Sequence, residues 1–344
     1  MKRPVSAVDL FCGAGGLTHG FIIEGIKVQV GIDLDPACKF PYEYNNKSVF
    51  LQEDISDITA DDLSPYYPDG HVKLLAGCAP CQPFSTYSQG HRNDDDKRWT
   101  LLREFARLAK ELRPELITME NVPKLRDHEV FLDFVETLKN LAYQVTYSVV
   151  DGRYYGIPQH RRRLVLFASQ YGEVEIEEPT HEVENFMTVR QTIASLERIA
   201  AGESSLNDSL HRASVLTAKN LQRIRASKPG GTWRDWDEEL RTNCHTKKSG
   251  KTYPSVYGRM SWDDPAPTIT TQCFGFGNGR FGHPEQDRAI SLREAAMIQT
   301  FPENYKFVPP KEPVQMKIVG KLIGNAVPVT LGRVIARSIL RHLG

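Results

Sequence analysis

Cysteine is scarce in this chain, 6 residues in 344, too few for a disulfide scaffold and consistent with a reducing, cytoplasmic setting. No apolar run approaches the roughly 18 consecutive residues of a membrane span. Met1-Lys2-Arg3-Pro4 leads straight into a strand-like run without the pattern of a signal peptide. Membrane and secreted classes are therefore not expected. Internal repeats and low-complexity tracts are absent. Net charge is absent too: 43 Lys and Arg balance 43 Asp and Glu, which argues against a uniformly basic nucleic-acid binder. What is left is an ordinary globular composition, 40% hydrophobic and 25% charged, with a length that suggests about two domains of roughly 150 residues.

The balance of charge hides an asymmetry. Residues 171–210 hold nine acids and two bases, a net of −7, and residues 211–260 hold eleven bases and four acids, a net of +7. A basic block of that size fits a surface facing phosphate, and equally a solvated surface.

The first half of the chain alternates strand and helix patterns. Val5 to Phe11, Val28 to Ile32, Lys73 to Ala76 and Leu116 to Met119 are short apolar runs that read as buried strands, with Val145 to Val150 and Leu164 to Ala168 as later ones. Between them, Leu101, Leu102, Phe105, Leu108, Ala109 and Leu112 recur at helical spacing, as do apolar residues from Phe131 to Leu141. The alternation predicts an α/β fold built on a doubly wound, mostly parallel sheet, in which ligands bind off the carboxyl ends of the strands. From residue 170 the apolar runs shorten, and helical periodicity returns after Ser291. The expected division is a catalytic domain over 1–169, a small second domain over 170–289, and C-terminal helices over 290–344 that return to the first.

A glycine-rich turn, Gly13-Ala14-Gly15-Gly16, sits between the first strand and a helix. The dinucleotide fingerprint G-x-G-x-x-G fails, because the last position is Thr18. Asp33, at the end of the next strand, is placed to accept hydrogen bonds from a ribose. An adenosine ligand without a pyrophosphate fits both facts, S-adenosyl-L-methionine among them; a purely structural turn fits as well. Further on, Gly77-Cys78-Ala79-Pro80-Cys81-Gln82-Pro83-Phe84-Ser85 carries a C-x-x-C pair. A redox dithiol, part of a zinc site and a lone nucleophilic cysteine at a strand end all compete for it. Zinc is disfavoured because the remaining cysteines form no second pair, and a redox dithiol because no helix follows.

Pro80-Cys81-Gln82 with Phe84-Ser85 resembles the catalytic motif of DNA (cytosine-5)-methyltransferases, and other motifs follow in the family's order. Asp9-Leu10-Phe11-x-Gly13-x-Gly15-Gly16 is similar to its cofactor motif, Asp33-Leu34-Asp35 to the segment with the ribose acid, and Asp54-Ile55 to the segment at the adenine. Glu120-Asn121-Val122 and Gln159-x-Arg161-x-Arg163 resemble its glutamate and arginine motifs. Arg259-Met260 through Thr268-Ile269-Thr270 resembles the segment organising the recognition domain. Gly324-Asn325-Ala326-Val327-Pro328 resembles the last motif, which folds back on the cofactor pocket.

The resemblance implies a Rossmann-like S-adenosylmethionine-dependent fold with a target-recognition domain. It implies a reaction in which Cys81 adds to C6 of a cytosine flipped out of duplex DNA and a methyl group passes to C5. Pro80, Gln82, Glu120, Arg161 and Arg163 would serve catalysis. Glu120 would hold N3 and the exocyclic amine, with burial raising its proton affinity, and Arg163 would contact O2. Phe11, Gly13, Gly15, Gly16, Asp33, Leu34, Asp54, Ile55, Pro80, Asn325 and Val327 would line the cofactor site, which releases S-adenosyl-L-homocysteine. Ser85, Gln89 and Arg98, in a polar loop after Cys81, and Arg225, Lys228, Arg234, Arg241, Lys247 and Lys248, in the basic block, would meet DNA. No metal is implied. The expected partner is double-stranded DNA, with a separately acting cognate restriction endonuclease if the chain serves a restriction-modification system and none if it is an orphan methylase, for a monomer in the cytoplasm associated with the nucleoid. A tRNA cytosine-5 methyltransferase and an inactive DNA-binding relative are the rivals.

Overall fold

The computed structural model describes residues 3–80, 97–247 and 254–344, with the side chains at 97, 98, 244 and 246 left aside. The chain divides into two compact units. The first comprises Met1–Tyr155, Arg162–Pro179 and Val327–Gly344; the second comprises Gly156–Arg161 and Thr180–Ala326.

The first unit is built on β1 (Val5–Leu10), β2 (Lys27–Ile32), β3 (Val49–Leu51), β4 (Val72–Gly77), β5 (Leu116–Asn121), β6 (Gln144–Asp151) and β7 (Arg162–Ser169). They form one sheet in the order β3-β2-β1-β4-β5-β7-β6. The pairs from β3 through β5 are parallel, and β7 runs antiparallel to both β5 and β6. The sheet is thus mostly parallel, as the alternating pattern predicts. All six residues of β1 and of β5 are buried, Ser6, Asp9, Thr118, Glu120 and Asn121 among them, so neither strand alternates an apolar with a polar face. Edge strand β6 is mostly half-buried or exposed, with Val150 alone buried, and reads as mixed.

Helices α1 (Gly16–Ile23), α2 (Lys39–Asn46), α3 (Ala60–Leu63), α4 (Lys97–Leu112) and α5 (Glu129–Asn140) connect the strands. The expected strands and the helices α4 and α5 lie where the periodicity places them. Strand β3, three residues long, and α2 have no comparable apolar pattern. The first strand stops at Leu10 rather than Phe11: Phe11 has φ 59°, a left-handed turn conformation that ends the ladder.

The second unit has little regular structure. It contains α6 (Val189–Ile193), α7 (Ala218–Ala226), α8 (Asn243–Thr246), α9 (Leu292–Ile298) and α10 (Met316–Asn325), joined by 3-10 turns and isolated bridges. One core cluster gathers Ile224, Trp233, Trp236, Phe276 and Ala289. A second anchor is the fully buried pair Arg288 and Glu294, joined by two bonds of 2.7 Å.

The C-terminal boundary differs from the expected one at residue 290. Helices α9 and α10 belong to the second unit, and only Val327 onward returns to the first. The reason is polar as well as apolar. Gln299, following α9, donates to the carbonyls of Ile323 and Ala326, at the end of α10. Helix α11 (Val329–His342) then packs on α1 in the first unit. That contact is backbone to backbone at Gly20, where a Cβ would lie 2.5 Å from the Val329 carbonyl oxygen. Among the described residues, Met316–His342 is the stretch long and apolar enough to cross a membrane by composition. It is two helices interrupted at Pro328, and 72% of its most apolar window is buried.

Candidate active site

Glu120 is the penultimate residue of β5 and Arg163 the second of β7. In the antiparallel register Glu120 pairs with Val165, so Arg163, two residues earlier, lies diagonally across on the same face, within reach of a long side chain. Arg163 Nε lies 2.9 Å from Glu120 Oε1. The carboxylate is 3% exposed, and among the described residues its Oε1 has no donor aligned for a hydrogen bond despite that close charge. From the other side, Gly77 at the end of β4 pairs with Met119, which brings the next residue, Cys78, level with Glu120. The Cys78 thiol donates to Glu120 Oε2 at 2.9 Å. Asn121 Nδ2 donates to the Ala79 carbonyl at 3.0 Å, tying the strand end that carries Glu120 to the segment entering Pro80.

Cys81, Gln82, Ser85, Gln89 and Lys248 lie outside the described residues, as does the side chain of Arg98. The other described cysteines are poor nucleophile candidates. Cys12, Cys38 and Cys273 are buried. Burial pushes the Cys12 thiol well above its ordinary value and Cys273 up to about 12, which keeps both as thiols at neutral pH. Among the described residues no group of three His, Cys, Asp or Glu side chains is placed to hold a metal.

Arg161 and Arg163 part company although two residues separate them. Arg161 is 4% exposed and its Nη atoms donate to the carbonyls of Ile269 and Ala326 at 3.1 and 3.0 Å. Gln159, fully buried, donates to the Ile298 carbonyl and to Gln299 Oε1, both at 2.8 Å, and accepts from the Ile269 amide. The structure therefore places Arg161 as a brace within the second unit, not as a group open to substrate, while Arg163 meets the carboxylate.

The candidate cofactor residues in the first unit gather at the carboxyl ends of adjacent strands. Phe11 and Gly13 follow β1, Asp33 and Leu34 follow β2, Asp54 and Ile55 come after β3, and Pro80 comes after β4. The Gly13 amide donates to Asp33 Oδ2 at 3.0 Å, and the Asp35 amide to Oδ1 at 2.9 Å, which fixes the carboxylate at the mouth of the turn. Gly15 has φ 86° and caps α1 without a side chain; glycine supplies that conformation without a Cβ clash. Leu34 is 63% exposed, an apolar face beside the acid. Asp54 accepts from the amide and hydroxyl of Ser56, bonds that hold it below the usual carboxylate range. Ile55 and Val327 are buried, and Asn325 ends α10 exposed, within the second unit.

Beneath the turn lies a residue whose chemistry the sequence did not flag. Asp9 is 1% exposed and accepts from Thr18 Oγ1 at 2.6 Å. Burial, eased by Thr18 and reinforced by nearby Asp33, pushes its carboxyl up to about 7.

The basic block of the second unit is only partly a surface. Arg223 donates to the Leu240 carbonyl at 2.8 Å, Arg241 to the carbonyls of Arg234 and Trp236 at 3.3 Å, and Arg259 to four carbonyls between 2.7 and 3.1 Å. A unit with few helices and strands leaves many carbonyls without ladder partners, and guanidinium groups with five donors fill the role. Arg241 is thereby corrected from a DNA-facing residue to a half-buried brace. Arg225, Lys228, Arg234 and Lys247 are exposed, although Arg225 pairs with Asp287 at 3.1 Å. The segments Gly230-Gly231-Thr232-Trp233 and Phe274 to Gly279 contribute to the core of this unit: Trp233 is 5% and Phe276 2% exposed.

A methyltransferase-like sheet with a buried carboxylate and a guanidinium at its strand ends defines the class of protein. Residues 5–341 match the family of C-5 cytosine-specific DNA methylases. The chain is 55% identical over 341 residues to the Type II methylase M.HgiDII of Herpetosiphon aurantiacus, covering 98% of this chain and 96% of that protein. It is 31% identical to the Type II methyltransferase M1.HphI of Haemophilus parahaemolyticus, covering 97% and 86%. Among solved structures, a prophage-encoded DNA modification methyltransferase (E. coli) superposes with a TM-score of 0.74 at 20% identity, over 98% of this chain and 99% of that one. The methyltransferase EhMeth of Entamoeba histolytica superposes with a TM-score of 0.66 at 16% identity, over all of both chains. The chain belongs to the C-5 cytosine-specific DNA methylase family. It is a DNA (cytosine-5-)-methyltransferase.

Proposed function

We propose that this enzyme methylates one cytosine within a short, specific duplex sequence, using S-adenosyl-L-methionine and a covalent attachment of the base to Cys81. The observation that carries the reading is the buried Glu120 at the end of β5, whose Oε1 faces Arg163 at 2.9 Å with no aligned hydrogen-bond donor among the described residues. That oxygen is paired in charge with Arg163 and, among the described residues, is still open to a donor from a substrate.

Cytosine C5 is a weak nucleophile. Addition of the Cys81 thiolate to C6 converts the ring to an enamine-like species whose electron density lies at C5. As the sulfur–carbon bond forms, negative charge develops on the ring. Glu120 shares a proton with N3 and accepts a hydrogen bond from the exocyclic amine, and Arg163 stabilises the O2 side. S-adenosyl-L-methionine, when bound, supplies an electrophilic methyl group to C5. Loss of the C5 proton to a base, with a bound water the simplest candidate, then expels the thiolate from C6 and restores the aromatic ring. The reaction needs the base outside the stack, so the cytosine is flipped out at a cost of a few kcal/mol.

The residues present fit the cofactor. The Asp33 carboxylate, held by two amides, suits a ribose diol. Leu34 offers an exposed apolar face to the purine. The amino end of α1, capped by Gly15 without a side-chain bond, suits the carboxylate of the methionine portion. The exposed bases Lys228, Arg234 and Lys247 suit phosphate, with sequence readout assigned to the second unit. The Type II names of the relatives support a modification role beside a separate restriction endonuclease, and the proposal extends to a monomer acting in the cytoplasm. Bisulfite sequencing of a host expressing the chain tests this: protected cytosines in one short context are expected, and unprotected genomic DNA contradicts it.

A further inference from the structure

Glu120 has two carboxylate oxygens in unlike surroundings. Oε2 accepts from the Cys78 thiol at 2.9 Å. Oε1 faces the Arg163 guanidinium and lacks an aligned donor among the described residues. Of the titratable groups on the packed elements, Cys78 extends from β4 and Arg163 belongs to β7. The turn after β5 carries Lys124 and Arg126, both exposed.

We propose that Cys78 is a positioning residue for methyl transfer: its thiol holds Glu120 Oε2 and so leaves Oε1 as the oxygen presented to the cytosine. The inference rests on the reading of Glu120 given above and goes beyond it, because it assigns the two oxygens separate tasks. The donor type matters. A thiol donates weakly, so it fixes the orientation of Oε2 and leaves the carboxylate free to share a proton with N3. A hydroxyl at the same place would stabilise the ionised form more strongly, and a methyl group would leave Oε2 buried with no donor in place of the thiol.

The test compares Cys78→Ser, Cys78→Ala and Glu120→Gln by transfer of a labelled methyl group from S-adenosyl-L-methionine to unmodified genomic DNA across pH. Thermal melting of each variant serves as the folding control. Both Cys78 variants should lose about tenfold in kcat, the scale of one hydrogen bond to a charged group, with the KM for S-adenosyl-L-methionine within about twofold of wild type. The alkaline limb of the kcat profile should move to lower pH in Cys78→Ser and to higher pH in Cys78→Ala. A folded pair of Cys78 variants whose limb stays in place overturns the proposal, whatever their kcat. An inactive Glu120→Gln beside unchanged Cys78 variants overturns this inference alone. An active Glu120→Gln overturns the reading of Glu120, and the role of Cys78 with it.

Discussion

Arg163 and Glu120 lie on adjacent antiparallel strands, one diagonal step apart, with Nε 2.9 Å from Oε1. The pair is nearly dry, at 14% and 3% side-chain exposure, so its attraction is poorly screened and a change to either partner is felt by the other. Replacing Arg163 with Ala is expected to lower kcat by about 10²- to 10³-fold, the range for losing one preorganised electrostatic contact. Binding of S-adenosyl-L-methionine should stay near wild type, as equilibrium dialysis would register. Loss of both in a folded variant would contradict the assignment.

Asn121 links the glutamate strand to the segment entering Pro80, through its bond to the Ala79 carbonyl. Asn121→Ala removes that bond and leaves a buried acceptor, a cost of about 1–3 kcal/mol. Chemical denaturation should show it, accompanied by a fall in kcat. Full activity with unchanged stability would separate Asn121 from the site.

The placement of these groups was partly legible in the sequence. Strands β1, β4 and β5 are largely apolar on both faces because they are buried on both sides, and the motif residues lie at or just past their ends. Glu120 and Arg163 were recognisable by resemblance, but their contact depends on the antiparallel register of β7, which no local pattern encodes. Arg161 shares a motif with Arg163 and falls in the other unit, bonded to main-chain carbonyls. Charge alone could not separate exposed Lys228 from bracing Arg241, because that depends on which carbonyls the fold leaves without partners. Cys78 was visible as a second thiol, and its bond to Glu120 emerges only from the parallel register of β4 and β5.

Asp9 predicts a pH dependence of stability in the first unit. Its carboxyl is raised by burial from an ordinary value of 3.8 to about 7, so the native state holds a proton that the unfolded chain releases. The contribution is present in full below pH 3.8 and is lost as pH rises toward 7. Denaturation of Asp9→Asn between pH 4 and 8 should show a weaker decline with rising pH than wild type. Parallel curves would remove Asp9 from this role.

In the second unit the sign reverses. Burial lowers His283 from 6.5 to about 4, with Arg288 and Arg259 adding to it and Glu294 opposing. Its contribution is present above pH 6.5 and is lost as pH falls toward 4. Glu294→Gln breaks the buried pair with Arg288 and should destabilise this unit by about 3–5 kcal/mol. Limited proteolysis should then cut between residues 180 and 326 first, and resistance equal to wild type would contradict the pair's role.

The most direct measurement is trapping on duplex DNA that carries 5-fluorocytosine in the recognised context, where fluorine blocks the final elimination. Wild-type protein with S-adenosyl-L-methionine should form a stable conjugate whose mass equals protein plus DNA plus one methyl group. Peptide mapping should place the bond on Cys81, and Cys81→Ala should form none. A conjugate on another residue, or methylation of ordinary cytosine with no conjugate on the fluorinated base, would contradict the account.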